Sequence, residues 1–474
     1  MHNNHKTNVQ TILNDYKKAQ GKYNEWVELW RECYNFAGTN ISRKNKIQIF
    51  DGTAPDAIDE LSGVLMNELY PYGNDWIDIK NKQTKQSDDT DTSINVKNTI
   101  MDSIRSSNFQ IEIHQCVMDL IIAGTGVMLI EQGDINSGNK LKFTALDLQN
   151  IVLQETANGK IDTLYRKKEY SYNELVNRFP IAKSKVKYSE DKTFKIVEQI
   201  KLNNGKWDYT VILLDETSQS EIIMQSQYDT PPFIAFRWQK NTGEVYGRSP
   251  IMKALPDIKT VNKIAELTLK NASISVTGIW QADDDGVLNP NNIRLVPGAI
   301  IPKAVGSNGL QPLKSPGEFN LSNMLIEPLQ NRIRKSLLSD VFTTTVAKTA
   351  TEIQEQQLRS RQVINSVFER ITQEAMLPMV QRITDILAKQ GAIIKPKDSG
   401  LYVDVISPVE RYSKMQKVLM VKQTISEINK LGFDAFNIFD LNKTLKWVVA
   451  EMDVPNHILI ENEPLQEMEL LNEQ

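Results

Sequence analysis

Two helical runs that bracket an insert rich in proline and glycine place the strongest constraint on this chain. Helical spacing runs from Pro250 to Val276, and helix resumes at Leu321 and continues to about Ser339. Between them, "NPNNIRLVPGAIIPKAVGSNGLQPLKSPGEFN" carries so many turn residues that only short strands fit. The insert, about 40 residues long, starts and ends at nearly the same place, so this part must fold as a stalk carrying a small head. Lys259, Lys263 and Lys270 fall 4 and 7 residues apart and share a helix face, and Arg332, Arg334 and Lys335 enrich the second run. A solvated basic face and a face turned to DNA both fit that spacing.

Upstream, about Val9 to Phe36 reads as helix, with Ile12, Tyr16, Tyr23, Val27, Trp30 and Tyr34 at helical spacing. A further helix follows Phe50. Thr53 is placed to cap it, Asp56, Asp59 and Glu60 suit its positive end, and Ile58, Leu61, Leu65 and Leu69 form its apolar stripe. "YPYGND" stops this helix and Trp76, Ile77 and Ile79 begin an extended run. Asn81 to Ser93 reads as a polar loop, and Val96 to Ile122 as one helix ended by "AGTG" before the strand "VMLIEQ". The stretches "KFTALDL", "NIVLQET", "IDTLYRKKEY", "FKIVEQIKL", "WDYTVILLD" and "SEIIMQ", separated by "NGK" and "NNGK", predict an antiparallel meander interrupted by the short helix "YNELVNRF". Thr351 to Lys389 reads as one helix of about 58 Å at 1.5 Å per residue, capped by Thr349 with Glu352 and kinked at Pro378. "GLYVDVIS" is a late strand, and helix returns from Pro408 towards a tail carrying Glu467 and Glu469. The fold class is α+β.

Composition excludes several classes. The 474 residues, 40% hydrophobic and 24% charged, are enough for roughly three domains of about 150 residues each and a large core. No stretch approaches the roughly 20 apolar residues of a membrane helix, and "MHNNHKTNVQ" lacks a signal peptide's apolar region, so a soluble chain without membrane contact is expected. Cys33 and Cys116 are too few for a disulfide framework. The net charge of −4 gives no general attraction to DNA, so a DNA role needs a special geometry. No GxxxxGK[ST] loop occurs, and "GTG" at Gly124 to Gly126 follows a helix and meets Leu129 where a dinucleotide fingerprint needs glycine. The carboxylates Asp88, Asp89 and Asp91, and Asp283 to Asp285, read as solvated loops or as a Mg²⁺ site. His2, His5, His114 and His457 have no HExxH or cysteine partner. The reading is a non-enzyme with no catalytic residue, cofactor or metal; a metal-dependent nuclease on the Asp88 or Asp283 cluster is the enzyme alternative.

Four stretches taken in order, "DGTAPDAIDELSGVLMNELYPYGNDWIDI", "AGTGVMLIE", "YGRSPIMKALPDIKTVNK" and "TATEIQEQQ", resemble the head-to-tail connecting, or portal, proteins of short-tailed bacteriophages. The resemblance covers residues 10 to 460. It implies a portal fold with an α/β wing, a two-helix stem, a small β-containing clip and a helical crown. Its boundaries would be wing 1–249, stem helices 250–276 and 321–340, clip 277–320, channel loop 341–350, wing long helix and strand 351–407, and crown with tail 408–474. It further implies a homo-oligomeric ring, a dodecamer, at one capsid vertex of the virion, assembled in the host cytoplasm. Double-stranded DNA passes through such a ring during packaging and ejection. The partners would be the terminase motor, tail or adaptor proteins, and the major capsid and scaffolding proteins. Carried over to this chain, the DNA channel would be lined by Thr343, Thr344, Thr345 and Lys348 with Lys259, Lys263, Lys270, Arg332 and Lys335. Asp283, Asp284 and Asp285 would dock partners from the clip. Wing faces with Trp26, Trp30 and Trp76 would pack between neighbours. Another tail or baseplate adaptor is the structural alternative.

Overall fold

The computed structural model describes residues 2–38, 47–73, 75–81, 91–134, 138–188, 192–214, 220–277, 280–281, 305–306, 311–312, 319–339, 365–394, 401–406, 408–431 and 438–452. Helix α1 (His2–Phe36) buries Ile12, Tyr23, Trp30 and Tyr34 of the expected stripe, leaves Tyr16 and Val27 half-buried, and buries Trp26 and Cys33 in addition. Helix α2 (Thr53–Leu69) buries Ile58, Leu61, Leu65 and Leu69. Its start corrects the sequence reading. Thr53 is already helical and makes no side-chain cap; Asp51 Oδ1 instead accepts from Thr53 N at 3.1 Å. Strand β1 (Ile77–Asn81) follows the turn.

The helix predicted over Val96 to Ile122 divides into α3 (Asp91–Arg105) and α4 (Phe109–Ala123). Ser107 Oγ donates to Ile104 O at 2.6 Å and accepts from Phe109 N at 3.2 Å, so a hydroxyl takes over backbone partners at the break. Strands β2 (Thr125–Gln132), β3 (Leu141–Ala145), β4 (Ile151–Glu155) and β5 (Ile161–Tyr170) come next. Helix α5 (Tyr172–Arg178) sits behind a capping box of Ser171 and Glu174. Strands β6 (Phe194–Asn203), β7 (Lys206–Leu214), β8 (Glu221–Tyr228) and β9 (Phe233–Arg237) complete two antiparallel sheets. One is the expected meander without its first member, in the order β4-β5-β6-β7-β8; "KFTALDL" instead forms β3 and joins the other sheet, of order β3-β2-β9. The β6–β7 turn needs Asn204 at φ 50° and Gly205 at φ 80°, the left-handed pair that keeps a tight hairpin twisted correctly.

Helices α6 (Pro250–Thr277) and α7 (Phe319–Ser336) pack side by side, with a two-residue strand pair, β10 (Trp280–Gln281) and β11 (Gln311–Pro312), between them in sequence. Of the predicted 40-residue helix, residues 365–371 are helical and lead through a widened π turn, Thr372–Met376, into α8 (Leu377–Lys389). Pro378 lacks an N–H and would crowd the carbonyl four residues back, so the turn widens where a kink was expected. Strand β12 (Leu401–Val405) pairs antiparallel with β1, and α9 (Pro408–Lys430) and α10 (Leu441–Glu451) end the described chain.

Both edges of the three-stranded sheet are met by side chains. Asn108 Oδ1 accepts from Phe143 N at 3.0 Å and its Nδ2 donates to Phe143 O at 2.8 Å, while Glu112 accepts from Ala145 N at 2.7 Å. On the far edge, Glu374 from the π turn accepts from Arg237 N at 3.0 Å. Among the described residues these contacts hold the last strand at each side without another strand.

Aromatic packing joins the layers. Trp30 and Tyr246 meet edge to face at 4.9 Å, Trp26 lies 5.9 Å from Tyr246, and Tyr246 Oη accepts from Leu153 N at 3.0 Å. Trp76, Tyr70, Phe109 and Phe143 form a second group with centroids 5.1 to 6.0 Å apart. These rings correct the expectation that Trp26, Trp30 and Trp76 pack between neighbouring subunits. All three are buried inside the single chain.

Burial pushes the Asp119 carboxyl up to about 7, although Tyr34 Oη donates to its Oδ1 at 2.7 Å. A carboxyl raised in the folded state adds stability below its unfolded value of about 4 and loses it as pH climbs through about 7. The Tm should therefore fall over that window, and Asp119→Asn, which still accepts from Tyr34, should flatten the fall and melt later above pH 7. Parallel melting profiles for the two proteins would contradict this.

Candidate functional site

Three of the four stretches quoted above come together along α6, two of them at its base. The helix of "AGTG" ends at Gly124 with φ +80°, and here the backbone crosses that of Gly247. A Cβ on Gly124 would stand 2.2 Å from Gly247 O, and one on Gly247 would stand 2.1 Å from Gly124 O. Only two glycines permit this approach. Around it Thr125 Oγ1 accepts from Gly247 N at 2.9 Å, Ser249 Oγ donates to Ile122 O at 2.9 Å, and Met252 N donates to Ser249 Oγ at 2.9 Å. Trp30 Nε1 donates to Ala123 O at 3.1 Å, bringing α1 to the same point. The glycine pair thus fixes how α6 leaves the sheet.

The "DGTAPD" start of α2 holds both α6 and α7. Asn262 of α6, nearly buried, accepts through Oδ1 from Phe50 N at 2.6 Å and Asp51 N at 3.3 Å, and its Nδ2 donates to Gln48 O at 3.1 Å. Gln330 of α7 donates to Asp51 Oδ2 at 2.6 Å, and Ser339 Oγ donates to Glu60. Asp51 therefore ties α2, α6 and α7 together. Neither Asn262 nor Gln330 was anticipated. The available signal was a polar residue at a core-facing position, since Ile258 and Val261 are buried on the same side of α6.

The basic residues of α6 and α7 are distributed along the two helices. Lys259 bonds Glu32 of α1 at 2.6 Å and so lies where α1 and α6 touch. Lys263 and Lys270 reach one carboxylate, Glu266, at 2.9 and 2.5 Å, and Arg332 reaches Asp257 of α6 at 3.1 Å. Glu266 is held below the ordinary carboxylate range by its hydrogen bonds to Lys270 and Lys263. Lys335 is exposed on α7. Thr343, Thr344, Thr345 and Lys348, and Asp283, Asp284 and Asp285, lie outside the described residues, as do Asp88 and Asp89. Among the described residues no group of three His, Cys, Asp or Glu side chains is placed to hold a metal ion.

A buried ion network, also unforeseen, locks the π turn to the sheets. Arg237, 3% exposed, spends Nε and Nη2 on Glu374 at 3.2 and 2.8 Å, and Nη1 on Glu155 and Val245 O at 3.3 and 3.2 Å. Nη2 also reaches Gly159 O at 3.1 Å, and Lys240 joins Glu155 at 2.6 Å. Such a pair holds its geometry because every charge is answered; removing one partner strands the other.

Residues 9–459 match the family described as bacteriophage head to tail connecting protein. The chain belongs to this family. It is 23% identical to the portal protein of Enterobacteria phage T3 over 70% of this chain and 62% of that protein. It is 21% identical to the portal protein of Escherichia phage T7, over 62% of this chain and 55% of that protein. The matched part thus spans less than two thirds of either relative. Against the portal protein of Salmonella phage epsilon15 the identity is 20% over 97% of this chain and 90% of that protein. A head-tail connector is a structural component of the phage particle, and no described helix of this one is long and apolar enough to cross a membrane.

The crossing and the clasp give separable expectations. Gly247→Ala should cost about 2–4 kcal/mol because backbone must move, whereas Gly63→Ala, with nothing within 4 Å of the added methyl in α2, should gain about 0.5–1 kcal/mol. Asn262→Ala should cost about 2–3 kcal/mol by stranding three backbone groups. Chemical denaturation measures all three, and a Gly247→Ala protein as stable as wild type would remove the crossing from the argument.

Proposed function

We propose that this chain assembles into a closed homo-oligomeric ring at one capsid vertex, as the portal through which double-stranded DNA is packaged and ejected. Membership of the connector family, taken with a two-helix stem clasped to a mixed wing, carries the reading. In it α6 and α7 surround the conduit, the segment 277–320 forms the clip that docks the terminase motor and tail or adaptor proteins, and 408–474 forms the crown. The wing faces the major capsid and scaffolding proteins, and assembly takes place in the host cytoplasm before the ring becomes part of the virion.

Charge supports a sliding surface. Duplex DNA held by many lysines binds tightly and with steep salt dependence, which would brake its movement. In α6, Lys253, Lys259, Lys263 and Lys270 stand against Asp257 and Glu266, and most of these charges are already paired within the chain. The remaining attraction is weak. Leu267, Leu269, Met324 and Leu325 are exposed on the stem of the single chain, and a neighbouring subunit's stem would cover them. Closed symmetry would repeat Lys348 and the hydroxyls of Thr343, Thr344 and Thr345 once per subunit around the channel, and would likewise repeat Asp283, Asp284 and Asp285 around the clip.

Light scattering should give a particle mass many times the 54.0 kDa of one chain, and negative-stain images should show rings with a central hole. A 54.0 kDa species at every salt concentration would sink the proposal. Lys348→Ala should leave rings intact while making DNA retention less sensitive to salt, and changing Asp283, Asp284 and Asp285 together to Ala should weaken motor or tail attachment at low salt. Retention or attachment unchanged across salt would remove the respective residue from its role.

A further inference from the structure

The chain is acidic overall, but its positive charge is not evenly spread. Between Arg166 and Lys195 nine lysines and arginines face four acidic residues, in a protein of net charge −4. This segment is the end of β5, α5, the short turn Pro180–Ser184 and the start of β6, so the topology gathers it at one end of the five-stranded sheet. Three of the cations are answered: Arg166 by Glu198 at 3.6 Å, Arg178 by Glu131 at 3.1 Å and Lys185 by Glu221 at 2.6 Å. Lys167, Lys168, Lys183, Lys187 and Lys192 are exposed and have no ion-pair partner among the described residues.

Aromatic rings hold part of this surface in place. Lys168 Nζ lies 4.7 Å from the centre of the Tyr170 ring and Lys192 Nζ 5.7 Å from that of Phe194, and Tyr170 and Phe194 are direct cross-strand partners. Tyr172 packs on Tyr188 at 5.0 Å and on Phe194 at 6.4 Å. Lys168 is held below the ordinary lysine range, first by burial and then by Arg166 and Arg178 beside it, so the cluster already repels added positive charge. Of the acidic residues in the segment, Glu174 is occupied in the cap of α5.

We propose that this end of the wing is a second DNA contact, an outer surface that holds the phosphate backbone of duplex DNA away from the channel. It rests on the portal reading for its biological setting. A protein partner fits less well. Protein interfaces concentrate apolar residues at their centre and deplete charge there, whereas here the centre is lysine and the exposed apolar side chains are Ile181 and Tyr188. Lysines presented as separate point charges suit a sequence-independent, salt-sensitive hold on phosphates.

Relaxed, covalently closed circular duplex DNA cannot thread a preformed ring, so its retention by purified rings reports outer surfaces alone. Rings of the wild-type chain should retain it at low salt. The combined variant Lys167→Gln, Lys168→Gln, Lys183→Gln and Lys187→Gln should bind at least about tenfold more weakly at roughly 50 mM salt, with a salt slope lower by about 3. An equal-charge control, Lys414→Gln, Lys422→Gln, Lys430→Gln and Lys446→Gln, should bind as wild type does. Equal loss in the control would overturn the proposal in favour of bulk charge, and binding to polyglutamate but not to the circle would overturn it in favour of an acidic protein. Rings seen in micrographs of the same samples keep this outcome separate from that of the portal reading, which fails only if no rings form.

Discussion

Two backbones pass each other at Gly124 and Gly247 with no room for a single carbon between them, and the elements on both sides are arranged by that passage. On one side lie α4 and the central strand β2; on the other lies the turn that starts α6. Hydroxyls of Thr125 and Ser249 satisfy the backbone groups that the close approach would otherwise strand, and Trp30 closes the joint from α1. The direction of the stem is therefore set by sterics and hydrogen bonds at its root. Packing higher up the helix follows from it.

The clasp and the ion network do different work around this joint. Asp51 and Asn262 use neutral and singly charged partners to bind α2 to two helices far away in sequence, a cheap way of stopping the stem from splaying. Arg237 and Glu374 bury full charges, which costs desolvation and is tolerable only with every donor occupied. That arrangement fastens the π turn to β9 and β4 in one register. A lysine in place of Arg237 would lose the planar fork that serves Glu374, Glu155 and two carbonyls at once.

What the sequence discloses, and what it hides, follows from the range of the forces. The meander from β4 to β8 was legible because alternation and the "NGK" and "NNGK" turns are local signals. So were the apolar stripe of α2 and the two helices α6 and α7. The break at Ser107 was missed because the apolar spacing runs through it while a hydroxyl decides the backbone. Thr53 reads as the cap, although it is already helical, because a one-residue difference in helix start is invisible to periodicity. Trp26 and Trp30 were assigned to subunit contacts since spacing says that a face is buried but not by what. Lys259, Lys263 and Lys270 share a face as read, yet their partners Glu32 and Glu266 come from different helices. Arg237 and Glu374, 137 residues apart, leave no local trace at all.

The side-chain caps on the three-stranded sheet matter most when many copies of the chain stand shoulder to shoulder. A bare strand edge offers every neighbour the same row of donors and acceptors, and at the crowding of an assembled particle such edges fuse into open-ended fibres. Asn108 presents an amide to Phe143 as a strand would, but one residue long and with nothing beyond it to extend. Glu374 plugs the opposite edge with a carboxylate that can only accept. Extension of this sheet by a further strand is thereby hindered at both sides, and any contact between copies of the chain is left to helices and charged surfaces.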